Sequence, residues 1–288
     1  MGKLTVTKAT ARTTGAMTVT RMHRGFGARY GKYLEAARLG IGTRLAYRGN
    51  ALGRALTYGL FIFVFSRIWT TVMAGKAELG GYDLHALVWY FVIAELPAFT
   101  FGRFFGSVAE DVKSGQIAYL VARPWSFLGY GFASAMGPAL LDLGIFAVEG
   151  FILGLLFTGM MPLVHPLQAA ALLLSLSLSG IIQYHFQASI ALTAFWVEEN
   201  AAFLWIWQKL ALVIGTLMPI ELLPETVRRI AVWTPFPWIA WAPGRIAVAW
   251  EGQSLILLAG QLAWCLAAVI MSRLVYAAGR RRIAAQGG

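Results

Sequence analysis

The sequence predicts an all-α integral membrane protein with about six transmembrane helices. Two observations carry this. The chain of 288 residues is 58% hydrophobic and 13% charged, with a mean hydropathy of +0.65. A soluble domain carries roughly 25% charged residues, so half that share cannot cover a water-facing surface. The charge is also gathered at the ends. Ten of the 24 basic residues lie from Lys3 to Arg48, opposed there only by Glu35, and Arg280, Arg281 and Arg282 close the chain. Basic flanks around an apolar body are what the positive-inside rule produces. The net charge of +11 therefore points to a bilayer rather than to nucleic acid, for which no recognition motif is present.

Residues 1–27 are rich in Thr, Ala and Lys without periodicity and read as a disordered basic cytoplasmic tail. No apolar stretch occurs there, so no secretory signal peptide is expected. Residues 28–50 place Tyr30, Tyr33, Leu34, Ala37 and Ile41 at helical spacing among basic residues, as in an amphipathic helix lying on the inner membrane face. Residues 51–280 form the transmembrane domain, with spans near 52–74, 86–107, 132–158, 167–196, 201–220 and 254–278. Residues 281–288 are a second cytoplasmic tail. Between Glu149 and Glu198 there is no Asp, Glu, Lys or Arg, so the third and fourth spans are sharply defined. The first two are interrupted by Arg54, Arg67, Glu95 and Arg103. Six spans return both basic termini to the cytoplasmic side. Gly102 with Gly106, and Gly150 with Gly154, form GxxxG pairs that let helices approach closely.

Two segments between spans carry information. The inner loop Glu110-Asp111-Val112-Lys113-Ser114 continues as GQIAYLVARP, residues 115–124. Ile117, Leu120 and Val121 share one helical face, and Pro124 stops the helix, because the residue before proline is pushed out of the α region. A short amphipathic helix of this kind can rest on the membrane or plug into a partner's groove. The second segment, GTLMPIELLPETVRRIAVWTPFPW at residues 215–238, holds four prolines and cannot be one straight helix. It is too apolar for a solvated loop. Pro224 with Glu225 reads as a helix start, and the pattern suits short broken helices dipping into the outer leaflet.

These two segments and the six-span layout resemble the permease subunits of type-2 ABC exporters, in particular the bacterial branch of viologen and drug exporter permeases. The similarity spans residues 30–280. It implies that Glu110, Asp111, Gly115, Gln116, Leu120, Arg123 and Pro124 form the coupling helix that docks on a separate ATPase. It also implies that Gly215, Pro219, Pro224 and Pro235 belong to short re-entrant helices capping the outer side of the pore. Partners would be two copies of an ABC ATPase, which bind the ATP and Mg, and a second permease, identical or homologous. The place would be a bacterial inner membrane. The chain itself has no GxxxxGK[ST] phosphate loop, so no cofactor is expected in it and ATP hydrolysis falls to the partner.

Charges inside the spans are candidates for function because they are expensive there. Glu95, Asp142 and Glu149 would give the pathway an acidic tint suited to cationic amphiphiles. The alternative is that they pair with Arg54, Arg67 or Arg103 and hold helices in register. His185 reads as a hydrogen-bonded packing residue, and Trp205, Trp207, Trp233, Trp238, Trp241 and Trp250 as interface anchors. A membrane-embedded enzyme is disfavoured, since the four histidines show no HExxH or paired metal spacing and Cys265 is the only cysteine. An ATP-independent secondary transporter or channel would be expected to show inverted repeats, and none is visible.

Overall fold

The computed structural model describes residues 26–46, 48–101, 110–112, 114–117, 119, 126–163, 165–197, 199–250 and 252–286. Residues 1–25, Gly102, Arg103, Gly106, Leu120, Arg123 and Pro124 lie outside the described residues. Among the described residues the fold is helical, with one isolated bridge between Leu79 and Tyr82. The long helices are α1 (Phe26–Ala46), α2 (Arg48–Val72), α3 (Leu84–Phe101), α4 (Phe127–Thr158) and α5 (Pro166–Leu192). Then come the short α6 (Ala201–Leu210), α7 (Glu225–Ala231) and α8 (Pro235–Val248), and finally the long α9 (Gln253–Gln286).

The helix ends follow local chemistry. Ser126 caps α4 by accepting from the Gly129 amide at 3.1 Å. Gly159, at φ 92°, ends that helix in a conformation closed to most side chains. α5 starts with Pro166 at its first turn, where its missing amide costs nothing.

Five helices are long and apolar enough to cross a membrane: Leu52–Val72, Leu84–Phe101, Phe127–Thr158, Pro166–Phe195 and Gln253–Arg282. The segment expected to be a span at 201–220 is different. It makes ten residues of α-helix and then six of π-helix, Ala211–Thr216. Pro219 explains the ending, because its ring clashes with the carbonyl four residues back and it has no amide to donate. The chain widens before breaking, and the Leu217 amide reaches back to Leu212 O at 2.9 Å.

α3 is the centre of the bundle. Every residue from Leu87 to Pro97 is buried, which an all-round apolar sequence requires. It packs on α2, α4, α5 and α8. α8 is almost as deeply enclosed. α4 and α9 instead turn a row of large apolar side chains outward, including Leu140, Val148, Leu156, Leu262 and Leu266. Faces of that extent are those of a protein solvated by lipid.

Several glycines receive aromatic rings. A Cβ at Gly154 would lie 2.7 Å from the Trp89 ring, at Gly180 2.7 Å from Phe101, and at Gly244 2.7 Å from Tyr90. The expected Gly150–Gly154 pair is thus a seat for Tyr58 and Trp89 on α4, not a crossing of two backbones. Helix backbones approach instead at Gly137, where a Cβ would stand 2.2 Å from Ala37 O of α1, and at Gly40 of α1, where it would stand 2.5 Å from Ser134 O.

α1 accordingly packs on α4, with Ala36 buried against it. Of the face expected from Tyr30, Tyr33, Leu34, Ala37 and Ile41, Leu34 is 73% exposed, as a residue facing lipid would be, whereas the Ala37 backbone meets Gly137 of α4. The helix is turned by small residues that admit α4, rather than by its largest hydrophobic ones. The tryptophans also divide. Trp205 and Trp233 are exposed, as anchors would be, whereas Trp207 and Trp241 are buried and Trp207 stacks on Phe186 at 4.9 Å.

Candidate functional site

The loop at 110–119 starts as a helical turn at Glu110, Asp111 and Val112. It closes through Ser114 N to Glu110 O at 2.8 Å and Gly115 N to Val112 O at 3.2 Å. Gly115 has φ 76°, the left-handed region that favours glycine, and a Cβ there would meet open space. Helical conformation is present again at Ile117 and Tyr119. Ile117 is 3% exposed and anchors the turn, while Tyr119 is 79% exposed. Ser114, Gly115 and Gln116 are exposed between them. Burial, and then the neighbouring Glu110, push the Asp111 carboxyl above its ordinary range. The described part of this loop is therefore an exposed, acidic, sharply turned corner.

The proline-rich segment folds as three short helices. Pro219 precedes a 3₁₀ turn, Ile220–Leu222, Pro224 caps α7, and Pro235 opens α8. Gly215 lets this segment press on α8, because a Cβ there would stand 2.7 Å from Phe236 O. Glu221 is the knot that ties it down. It accepts from Tyr82 OH at 3.1 Å and from Trp241 Nε1 at 3.0 Å, and Arg245 Nε lies 3.8 Å away. The Arg245 guanidinium also sits over the Tyr82 ring, 5.1 Å from its centre. Burial and then Glu221 push the Tyr82 phenol well up, so it stays a donor. Glu221 is not among the candidate residues read from the sequence. Its three partners come from the turn before α3 and from α8, and no spacing in the chain announces them.

The carboxylates inside the bundle have separate fates. Asp142 on α4 pairs with Arg44 Nη2 of α1 at 2.7 Å and with Arg54 of α2. Arg54 also donates to Phe99 O and lies over the Phe146 ring at 5.1 Å. Of the expected cations Arg54 is the partner found, joined by Arg44 of α1, which was not among them. Arg67 reaches no described carboxylate by an ion pair and lies 5.5 Å from the centre of the Phe63 ring. Glu95 is 1% exposed, and its Oε1 has no hydrogen-bond partner among the described residues. Glu149 Oε2 is likewise without one. His185 Nδ1 bonds Ser272 Oγ at 2.7 Å.

α5 carries a buried polar stripe that the sequence reasoning missed. Ser175, Ser179, Gln183 and Gln187 recur every four residues and are all buried. Gln261 of α9 donates to Ser175 O at 3.2 Å and Ser179 Oγ at 3.2 Å, whereas among the described residues neither amide atom of Gln187 has a partner. Its regular spacing was the available signal. Among the described residues, no group of three or more His, Cys, Asp or Glu could hold a metal ion.

Residues 56–287, most of the chain, match the family described as "ABC-2 family transporter protein". No curated protein matches the chain.

Proposed function

Because the chain belongs to the ABC-2 family of transporter proteins, a family of multi-span membrane permeases, we propose that it is the transmembrane half of an ATP-driven exporter. The family match over residues 56–287 carries this, joined to the absence of a phosphate-binding loop from the sequence. A separate ATPase, two copies per complex, binds ATP and Mg and drives the cycle. A second permease, identical or homologous, completes the pathway. The transported molecule is amphiphilic or drug-like, and the complex sits in a bacterial inner membrane with both termini of this chain cytoplasmic.

The corner at Glu110, Asp111, Gly115 and Gln116, continuing through Leu120, Arg123 and Pro124, is the coupling helix. Its support is the exposed turn at Gly115 beside the buried anchor Ile117, a shape that can transmit a push without unfolding. The helices around Pro219, Pro224 and Pro235 are the re-entrant cap, supported by an apolar segment broken by proline whose last helix, α8, is buried against α3 and α5. Alternation between inward- and outward-facing states then follows from ATP-dependent rocking at the corner.

The test is a pull-down of the tagged full chain from its host membrane, with recovered proteins identified by mass spectrometry. A P-loop ATPase should be recovered, and lost on Gly115→Trp or Arg123→Glu in variants that keep the parent's melting temperature. Recovery of a well-folded chain with no ATPase would overturn the proposal and direct attention to Glu95 and Glu149 as sites of ion coupling.

A further inference from the structure

A cleft of about 300 Å³ opens between the start of α4, the end of α5 and the C-terminal half of α9. Its polar lining is Ser126, His185, Arg273 and Tyr276, and its apolar wall includes Phe132 and Val269. No lining residue is acidic. Arg273 is exposed and makes no ion pair among the described residues.

The donors are held in place by packing. Ser272 Oγ donates to Val269 O at 3.0 Å, so in the 2.7 Å contact with His185 it accepts from Nδ1–H. Nε2 of that neutral ring carries a lone pair and only accepts, so the donors left to an anion are Arg273 and the hydroxyls of Ser126 and Tyr276. Ser126 Oγ accepts from the Gly129 amide, and its own hydrogen remains to be given. The Tyr276 ring stacks on Phe127 at 5.3 Å with 4° between planes, which fixes the phenol at the rim. Arg280 follows Tyr276 by four residues and extends the cationic face of α9 away from the cleft.

A guanidinium fork and two hydroxyls around a roomy, acid-free cleft suit a phosphate. An apolar wall beside them, on a helix whose neighbouring residues Leu266, Ile270 and Leu274 face outward, suits a phosphate attached to acyl chains. The geometry points to a binding site for the phosphate of an anionic phospholipid headgroup, held by Arg273 with Ser126 and Tyr276. The site lies at the end of the bundle where α1 also arrives, since Tyr33 OH accepts from the Ser126 amide at 3.4 Å. An occupied cleft would therefore brace α4, α5 and α9 at the base of the loop that carries Gly115.

The experiment uses the full chain in nanodiscs of phosphatidylcholine with and without phosphatidylglycerol, followed by native mass spectrometry of retained lipid. Phosphatidylglycerol should be retained preferentially, and Arg273→Gln should reduce that preference about tenfold, the loss of one charge-assisted pair. Arg273→Lys, which keeps the charge, should retain part of it. A second arm titrates inorganic phosphate in discs of phosphatidylcholine alone and reads the thermal midpoint. A rise abolished by Arg273→Gln would support the same site with soluble phosphate as its source. No rise, together with lipid preference, assigns it to the headgroup. Equal retention of the two lipids with no phosphate effect, or a preference unchanged in an Arg273→Gln chain that melts like the parent, would overturn the inference. Should Arg273→Gln melt early, Tyr276→Phe on the rim serves as the second variant, and an unchanged preference in both would overturn it equally.

Discussion

Asp142 and Arg44 stand 98 residues apart in the chain, and their side chains meet at 2.7 Å. The contact fastens α1 to α4, and Arg54 approaches the same carboxylate from α2. Removing one partner of a buried pair costs about 3–5 kcal/mol because the other charge is left uncompensated. Asp142→Asn is therefore expected to lower the thermal midpoint of the purified chain sharply. Asp142→Glu should recover part of the loss. A midpoint unchanged in Asp142→Asn would show that the two arginines are satisfied by solvent or lipid instead.

Structural pairing at Asp142 narrows the idea of an acidic pathway to Glu95 and Glu149, each with an oxygen that has no partner among the described residues. Glu95→Gln and Glu149→Gln together should reduce transport of a cationic dye while leaving that of a neutral amphiphile intact. Undiminished dye transport by the doubly substituted complex would end the idea.

The approach of α1 to α4 makes Gly137 sensitive. Gly137→Ala places a methyl 2.2 Å from the Ala37 carbonyl oxygen, against backbone that cannot step aside cheaply. A loss of about 1–3 kcal/mol is expected, with faster proteolysis between α1 and α2. Gly42 is the control. It is exposed with nothing within 4 Å of its Cβ position, so Gly42→Ala should gain up to about 1 kcal/mol from helix propensity alone. Equal effects at the two glycines would contradict the packing described.

Glu221 gathers three side chains, one from the turn before α3 and two from α8, so Glu221→Ala should loosen the segment between α6 and α8. Hydrogen exchange should rise at residues 217–233 and stay unchanged in the buried centre of α3. Tyr82→Phe removes one donor and should give a smaller change, about 1 kcal/mol.

Asp111 supplies a pH dependence whose sign is determined. Its folded pKa is raised from 3.8, first by burial and then by Glu110. The protonated form is favoured in the fold, so the associated stability is fully present below the unfolded value and is lost as the pH rises through the folded one. Asp111→Asn should flatten the melting profile from pH 4 upward and melt slightly higher than the parent at neutral pH. A parent profile already flat across that range would contradict the shift.

The long spans were legible because a bilayer imposes length and composition on every helix that crosses it, and that constraint acts one segment at a time. Four helix starts lie within five residues of expectation, from α2 to α5, with α9 beside them. The segment at 201–220 was not, because apolar composition does not reveal where a helix opens into a π turn ahead of Pro219. The Gly150–Gly154 spacing correctly marked a close approach on α4, yet its occupants, Tyr58 and Trp89, belong to other helices.

By itself, the sequence determined that the chain is a bundle of apolar helices, that its termini are basic, and where prolines interrupt the last third. These follow from transfer free energy and backbone geometry, which are local. Only the tertiary structure decided which charges meet. Asp142 chose Arg44 and Arg54 over Arg67, and Glu221 gathered Tyr82, Trp241 and Arg245. Pairing depends on which helix faces turn toward each other, and that is settled by small residues such as Gly137 admitting a neighbour, across distances that no spacing along the chain encodes.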